Sequence, residues 1–497
     1  MDSDSRIGVW EPESRRFISN SGGDVFMTGI EKAADPAAPK ASLISLGCAK
    51  NLVDSEVLAH QLTALGYRLS GNPGEAALIV VNTCGFLESA VEEAIETLLD
   101  VSRFKKNGSC RHLAAVGCMV QRYGKKLVDL LPEVDFFAGT SQYADFASLF
   151  RQFLEDGRRR LHLRRPTYLL TAETPKERST ARHTAYVKIA EGCNNRCSYC
   201  LIPKLRGPFR SRTVGDVVRE ISSLAEAGAV EVNLIAQDIT AFGSDRNDPA
   251  GLIRLIEAID AVAGIRWVRL LYAHPQRITA DLLKTMKASR KVVPYLDVPF
   301  QHSAPGILQA MNRSGGCKSV EQVLELIRSE LPEATLRTSL MVGFPGETRK
   351  EFKALCAFVE RAQFDHVGVF VFSPEKGSLA ARFPGRVSRR TAERRRSDLM
   401  DLQRAISRRR LRRWVGRRVP VLVEGVHPET DLLLVGRTAH QAPEVDGSVL
   451  ITGGTAEVGR IVDVTITGSH DYDLEGFVAE ATDERGEAAE NPSAARL

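Results

Sequence analysis

Apolar positions along this chain keep two alternating periods for most of its length and change to a third arrangement near the end. From Ala41, Ser42-Leu43-Ile44-Ser45-Leu46 reads as a strand, after which Leu58, Leu62 and Leu65 recur at helical spacing and Gly66 supplies a C-cap. Leu78-Ile79-Val80-Val81 reads as a buried strand, the following helix carries Leu87, Val91, Ile95 and Leu98 on one face, and Leu113-Ala114-Ala115-Val116 is a third strand. Between about 185 and 387 the alternation continues through six units, with strands expected over 185–190, 231–236, 267–273, 294–299, 336–342 and 366–372. Thr213 with Asp216, and the capping box Thr348 and Glu351, mark two helix starts. After Val419 come short strands between turns, over 419–423, 432–435, 448–452 and 460–466, the pattern of a small all-β domain.

Strands alternating with helices imply parallel sheets, so the fold class is α/β: an amino-terminal α/β domain, a partial barrel of six strand–helix units and a carboxy-terminal all-β domain. Six units fall short of the eight of a closed barrel. A chain of 497 residues has room for these three domains at roughly 100 to 200 residues each. The expected division is a flexible extension over 1–40, the first domain over 41–150, a basic linker over 151–184, the barrel with a basic helix over 185–415, the all-β domain over 416–481 and a disordered acidic tail over 482–497. Recognisable pattern lies beyond Met27, which is therefore a second candidate start.

Charge and composition narrow the function classes. No apolar run approaches the ~18 residues needed to span a bilayer, so no membrane is expected as a partner. Met1-Asp2-Ser3-Asp4-Ser5 lacks the basic start and apolar core of a secretion signal, and a cytoplasmic location is expected. Nine cysteines in a chain this long are too few for a disulfide scaffold, and their clustering fits metal ligation in a reducing compartment. The net charge of +5 is mild, but arginines gather at 158–160 and 164–165 and again between Arg389 and Arg418, on a helix whose Leu399, Leu402 and Ile406 face inward. Such a helix suits either solvent or an anionic partner such as RNA.

The chemistry centres on Cys193-Asn194-Asn195-Arg196-Cys197-Ser198-Tyr199-Cys200, directly after a strand. A four-iron cluster takes four thiolates, so three in one loop leave an iron open for a ligand. A zinc knuckle with a remote fourth ligand is the alternative, although no Cys-x-x-Cys or His-x-x-x-His partner pair lies elsewhere. Three further thiols, Cys48, Cys84 and Cys118, each end a strand of the first domain beside a glycine. In an open parallel sheet the carboxyl ends line the ligand crevice, which brings the three to one edge. Cys110, Cys317 and Cys356 match no such pattern.

The spacing C-x3-C-x2-C with an aromatic before the last cysteine resembles the signature of radical S-adenosylmethionine enzymes. Gly47-Cys48-Ala49-Lys50-Asn51, Asn82-Thr83-Cys84-Gly85 and Gly117-Cys118-Met119-Val120-Gln121 resemble the amino-terminal domain of the methylthiotransferases within that group, and the last domain resembles the OB-like TRAM barrel. The resemblance implies two 4Fe-4S clusters, one on Cys193, Cys197 and Cys200 and one on Cys48, Cys84 and Cys118. It also implies S-adenosylmethionine as cofactor and conversion of a C–H bond to C–S–CH3. Gly343-Phe344-Pro345-Gly346-Glu347 is similar to the loop that contacts this cofactor in relatives, and Tyr199, Gln237 and Gln301 are further candidate contacts. His274 and His302, also just past strand ends, suit a substrate role or a structural one.

Ala49-Lys50, Asp297-Val298-Pro299-Phe300-Gln301-His302 and Ser469-His470-Asp471-Tyr472-Asp473-Leu474 resemble the branch that modifies the β-carbon of an aspartate in small-subunit ribosomal protein twelve. The other branch modifies an adenosine of transfer RNA, and a non-catalytic, zinc-stabilised RNA-binding protein is the reading from a different class. Expected partners are that ribosomal protein, ribosomal RNA through the basic helix, and an electron donor such as flavodoxin or ferredoxin.

Overall fold

A computed structural model describes residues 37–157, 160–313 and 318–479. Met27 with most of the expected extension, Arg158, Arg159, Cys317 and the acidic tail lie outside the described residues.

The first domain is one parallel sheet of six strands: β1 (Lys40–Ser45), β2 (Arg68–Leu69), β3 (Leu78–Thr83), β4 (His112–Gly117), β5 (Phe136–Ala138) and β6 (Arg160–His162). Their spatial order is β2-β1-β3-β4-β5-β6, so the chain reverses its direction of winding between β1 and β3, the place where doubly wound sheets bind ligands. β1, β3 and β4 are the expected strands; their central residues are fully buried, as in a sheet covered on both faces. The edge strands β2 and β6 are too short for periodicity to reveal. β6 lies within the expected linker, where it pairs with β5 and follows a helix over Phe146–Asp156, so the sheet of the first domain runs on to His162.

After β7 (Thr184–Lys188) come a two-stranded ribbon, β8 (Ala190–Glu191) against β9 (Arg210–Ser211), and then β10 (Glu231–Ile235), β11 (Trp267–Leu270), β12 (Val292–Asp297), β13 (Thr335–Val342) and β14 (His366–Val371). β7 and β10 to β14 form the expected six-stranded parallel sheet in sequential order, open between β7 and β14. The helix over Val214–Glu226 begins where Thr213 accepts the N–H of Asp216, and the one over Arg349–Ala362 begins at the Thr348–Glu351 capping box. The basic helix runs over Arg389–Leu411 with Leu399 and Ile406 buried and Leu402 half-buried.

The third domain is a closed barrel of β15 (Arg418–His427), β16 (Thr430–Thr438), β17 (Val449–Gly453), β18 (Ile461–Ser469) and β19 (Leu474–Val478). Closure depends on β19, which the sequence pattern did not predict: it pairs with both β17 and β18. Among the described residues no helix is long and apolar enough to cross a membrane.

The segment joining β16 to β17 closes the mouth of the six-stranded sheet at the strands' amino-terminal ends. Arg269 on β11 donates to Ala439 O at 2.9 Å, Tyr295 on β12 to Asp446 Oδ2 at 2.6 Å and Arg337 on β13 to Asp446 Oδ1 at 2.7 Å. Arg437 forks onto both oxygens of Glu231, the first residue of β10, at 2.6 and 3.2 Å. Burial works against the Glu231 charge, but Arg437 and Arg269 outweigh it and hold the carboxyl down at about 2. This contribution to stability is complete above the ordinary carboxyl value and is lost as pH falls toward 2. Removing one partner of a buried pair costs about 3–5 kcal/mol. Arg437→Met is expected to lower the unfolding free energy of the full chain by that amount in a denaturant titration, whereas Arg460→Met, at the exposed pair with Glu457, leaves it in place.

Candidate active site

Both cysteine sets lie at carboxyl ends of strands, where helices and loops of the two α/β domains meet. In the first domain β1, β3 and β4 are neighbours, and Cys48, Cys84 and Cys118 follow them within a few residues. Cys48 is the N-cap residue of the helix over Ala49–Ala64, and Cys118 opens the helix over Cys118–Tyr123. Gly47, at φ +95°, brings the backbone against Cys84: a Cβ there would lie 2.9 Å from Cys84 Cβ and 3.3 Å from its sulfur. Burial pushes the Cys84 thiol up to about 12, and the nearby Cys118 and Cys48 add to the shift. These thiols repel one another as anions, the arrangement that a cationic ligand relieves.

In the barrel domain each sulfur of the second set accepts an N–H. Asn195 N reaches Cys193 Sγ at 3.4 Å, Ile202 N reaches Cys200 Sγ at 3.4 Å and Arg313 Nη1 reaches Cys197 Sγ at 3.5 Å. Burial is the main cause that pushes Cys200 up to about 12, with the Ile202 N–H working against it. Donors aimed at sulfur are what thiolate-held clusters use to tune their charge, so both sets fit an iron–sulfur group in donor type and surroundings. Among the described residues, no three Cys, His, Asp or Glu side chains close around a single metal ion.

The loop is braced from several strands. Asn195 Nδ2 donates to Asp238 Oδ2 at 2.8 Å, and Arg277 donates to Asp238 Oδ2 at 2.6 Å and to Asn195 Oδ1 at 2.9 Å. Ser198 N and Oγ donate to Met311 O and Ala310 O at 3.0 and 2.8 Å. Tyr199 is half-buried and packs on the barrel core.

The other predicted residues ring the same mouth. Gly343 has φ +77°, and a Cβ on it would lie 2.5 Å from Ala392 Cβ, so only glycine lets the loop pass the basic helix. Phe344 is buried edge-on against Phe372 and Phe383. Pro345 is buried and Gly346 is exposed. The Glu347 side chain turns back onto its own loop, accepting the Gly343 N–H, with Arg395 3.4 Å away. Gln237 donates to Glu191 Oε1 at 2.7 Å, while its own Oε1 is buried without a protein partner. His302 Nε2 and Glu347 Oε1 are likewise buried and unpartnered, 3.9 Å apart. Gln301 and Tyr272, at the ends of β12 and β11, have left-handed backbones with φ +70° and +69°, a conformation rarely held by side-chain-bearing residues away from functional sites. His274 and His302 use Nδ1 structurally, accepting the N–H groups of Gln276 and Ala304 at 3.3 and 2.9 Å.

Sequence reading missed a buried ionic network between the two cysteine sets. Lys188, at the end of β7, contacts Asp54 and, at 2.7 Å, Glu191; Arg206 contacts Asp54 and lies 3.5 Å from Glu191. Burial disfavours the Glu191 charge, but Lys188 and Arg206 outweigh it and hold the carboxyl down to about 2. Asn51, Asp54 and Ser55 continue the helical stripe of Leu58 and Leu62, and polar residues on an apolar stripe were the available signal.

Three families match the chain in the order of its domains: the uncharacterized protein family UPF0004 over residues 40–139, the radical SAM superfamily over 187–359 and the TRAM domain over 415–478. Fold and site thus define a radical S-adenosylmethionine enzyme with a TRAM barrel. Its relatives include the ribosomal protein uS12 methylthiotransferase RimO of Syntrophobacter fumaroxidans, 54% identical over 89% of this chain and 99% of that protein. The RimO proteins of Syntrophotalea carbinolica and Geobacter sulfurreducens are 47% and 46% identical over 90% and 89% of this chain and 98% and 99% of their own lengths. The chain belongs to the ribosomal protein uS12 methylthiotransferase family. Among solved structures, the radical S-adenosylmethionine methyltransferase TsrM of Kitasatospora setae aligns at TM-score 0.48 and 16% identity, over 65% of this chain and 70% of that one.

Burial, reinforced by Arg313, pushes His274 down to about 3, so its ring stays neutral at physiological pH. Its folded value lies below the ordinary ~6.5, so it weakens folding as pH drops through that interval. The His274 ring signals in NMR are expected to stay flat from pH 8 to about 5; a midpoint near 6.5 would contradict this burial.

Proposed function

We propose that this enzyme attaches a methylthio group to the β-carbon of an aspartate in ribosomal protein uS12. The observation that carries this reading is 54% and 47% identity to uS12 methylthiotransferases along 89% and 90% of the chain, together with the packing of Cys118 on Leu201 and Leu205 beside the other thiol loop. Modification of a transfer-RNA adenosine, the alternative open to the sequence, is not favoured by these relatives.

In this reading Cys193, Cys197 and Cys200 hold one four-iron cluster and Cys48, Cys84 and Cys118 a second. Bound there, the first would supply the electron that cleaves S-adenosylmethionine to methionine and a 5′-deoxyadenosyl radical able to take hydrogen from the aspartate, and the second would supply the sulfur, with its methyl group from another S-adenosylmethionine. The protein's residues orient and shield. Gly343 to Glu347 form the loop against which the cofactor lies, kept in shape by Glu347 gripping the Gly343 N–H. The unpartnered oxygen of Gln237 is available to it, and Tyr199 and Gln301 flank the same mouth. The neutral His274 adds no charge to that of Arg313 and Arg277 beside the loop. The working units are 41–150, to which the helix and β6 add residues up to His162, then 185–415 and 416–481, and the electron donor is a flavodoxin or ferredoxin in the cytoplasm. Exposed arginines of the basic helix, among them Arg389, Arg390 and Arg394, meet ribosomal RNA.

The test compares cells with and without the gene by mass spectrometry of both ribosomal proteins and transfer-RNA nucleosides. Loss of a methylthio group from uS12 is expected; loss from an adenosine instead keeps the chemistry and overturns the substrate. With purified protein, Cys197→Ala is expected to abolish reductive cleavage of S-adenosylmethionine, whereas Cys84→Ala keeps cleavage and loses sulfur insertion. Methylthio product from the Cys84 variant would overturn the assignment of the second set.

A further inference from the structure

One side chain of the barrel domain completes the cysteine site of the first domain. Arg206 Nε donates to Cys118 Sγ at 3.2 Å. The rest of its guanidinium is spoken for on the same side of the junction: Nη1 pairs with Asp54 Oδ2 and Nη2 donates to Asn51 Oδ1 at 3.1 Å, while the Tyr143 ring lies 5.9 Å away. Its side chain is 4% exposed. Arg206 follows the short helix over Ile202–Leu205, just past Cys200, and Leu201 and Leu205 pack directly on Cys118. Asp54, its anionic partner, is shared with Lys188, which is itself held by Glu191 two residues before Cys193.

If interdomain bracing were the whole role, the contact with Asp54 would suffice. Instead the planar fork is turned so that a third nitrogen meets sulfur. A buried cation at a thiolate favours whichever state of a bound cluster carries more negative charge, and that is the reduced state. The effect is strong where no water screens it.

We propose that Arg206 is a positioning residue for the second cluster: it fixes the Cys118 sulfur and raises that cluster's reduction potential, so the barrel domain sets the redox level of a cluster held by the first. The inference rests on the reading that Cys118 is a cluster ligand.

The test is an EPR-monitored redox titration of the full-length, iron-reconstituted chain carrying Cys193→Ala, Cys197→Ala and Cys200→Ala, so that only the second cluster titrates, with iron measured in each sample. Arg206→Met is expected to keep its iron and to lower the reduced-to-oxidised ratio at fixed potential at least tenfold, a downward shift of about 59 mV for one electron. Asp54→Asn, which leaves the guanidinium with only the more distant Glu191 at 3.5 Å, is expected to shift the potential upward. Opposite shifts from the two halves of one ion pair are not produced by bracing alone. An unchanged potential in an iron-replete Arg206→Met protein, or shifts of the same sign in both variants, overturns the proposal. Should Arg206→Met lose its iron, Arg206→Lys and Asp54→Asn decide: iron retained in the lysine variant with an upward shift in the asparagine variant supports the proposal, and no shift in the latter overturns it. Cys118→Ala tests the premise separately. Full iron content there removes Cys118 as a ligand, whereas iron loss there beside an unshifted Arg206→Met removes only the role of Arg206.

Discussion

A parallel sheet of six strands that does not close leaves an inner face and two open mouths, and parallel sheets are stable only when both faces are covered. The other two domains provide that cover. Tyr186, Ile235 and Tyr295 from the sheet share one continuous core with Val57, Leu58 and Phe146 of the first domain and with Leu422 and Ala442 of the third. Each domain also has a core of its own, so this shared core is what fixes the three to one another. Cys118 packs on Leu201 and Leu205, just past the other three thiols, because the sheet's carboxyl-terminal mouth is covered by the first domain.

Each mouth is sealed by charge as well as by apolar contact. At the amino-terminal mouth Glu231 takes Arg269 and Arg437, and Asp446 takes Arg337 and Tyr295; at the other, Asp54 and Glu191 take Lys188 and Arg206. An apolar seal would tolerate sliding by several ångströms at small cost, since hydrophobic contact has no direction. Buried charges tolerate none, because a slid interface strands an unpaired ion at several kcal/mol. The docking thereby acquires the precision that two sulfur sites acting on one substrate carbon require.

What was legible in the sequence was local. The thiol loop announces itself within eight residues, the strand-end cysteines repeat the same strand-to-turn pattern, and the capping box at Thr348 is complete in four. Strands buried on both faces, such as β3 and β4, read clearly because each holds a run of four apolar residues. What was not legible depends on partners far along the chain. β19 is short and holds Gly476, so only its pairing with β17 and β18 makes it a strand. β6 is fixed by β5 and would otherwise pass for part of a basic linker. Lys188, Arg206 and Asp54 are separated by 134 and 152 positions, and no window along the sequence contains both halves of the pair.

The basic helix shows the same limit from the other side, since its arginines look equivalent in sequence and are not equivalent in the fold. Arg395 is buried and donates to the Glu347 carbonyl at 3.0 Å, which fixes the end of the loop after β13. Arg410 and Arg413 both contact Asp365, just before β14, and Arg408 bonds Asp471 on the third domain. These side chains tie the helix to the barrel and the barrel to its carboxy-terminal cap, and their charge is largely spent within the molecule. Arg389, Arg390 and Arg394 lie at the opposite, amino-terminal end of the helix and are exposed. Cations at a helix amino terminus oppose the helix dipole, so their position there costs the helix stability rather than adding to it. A stretch that dense in charge therefore divides into arginines that folding explains, such as Arg395 and Arg410, and exposed ones at the amino-terminal end that folding explains less well.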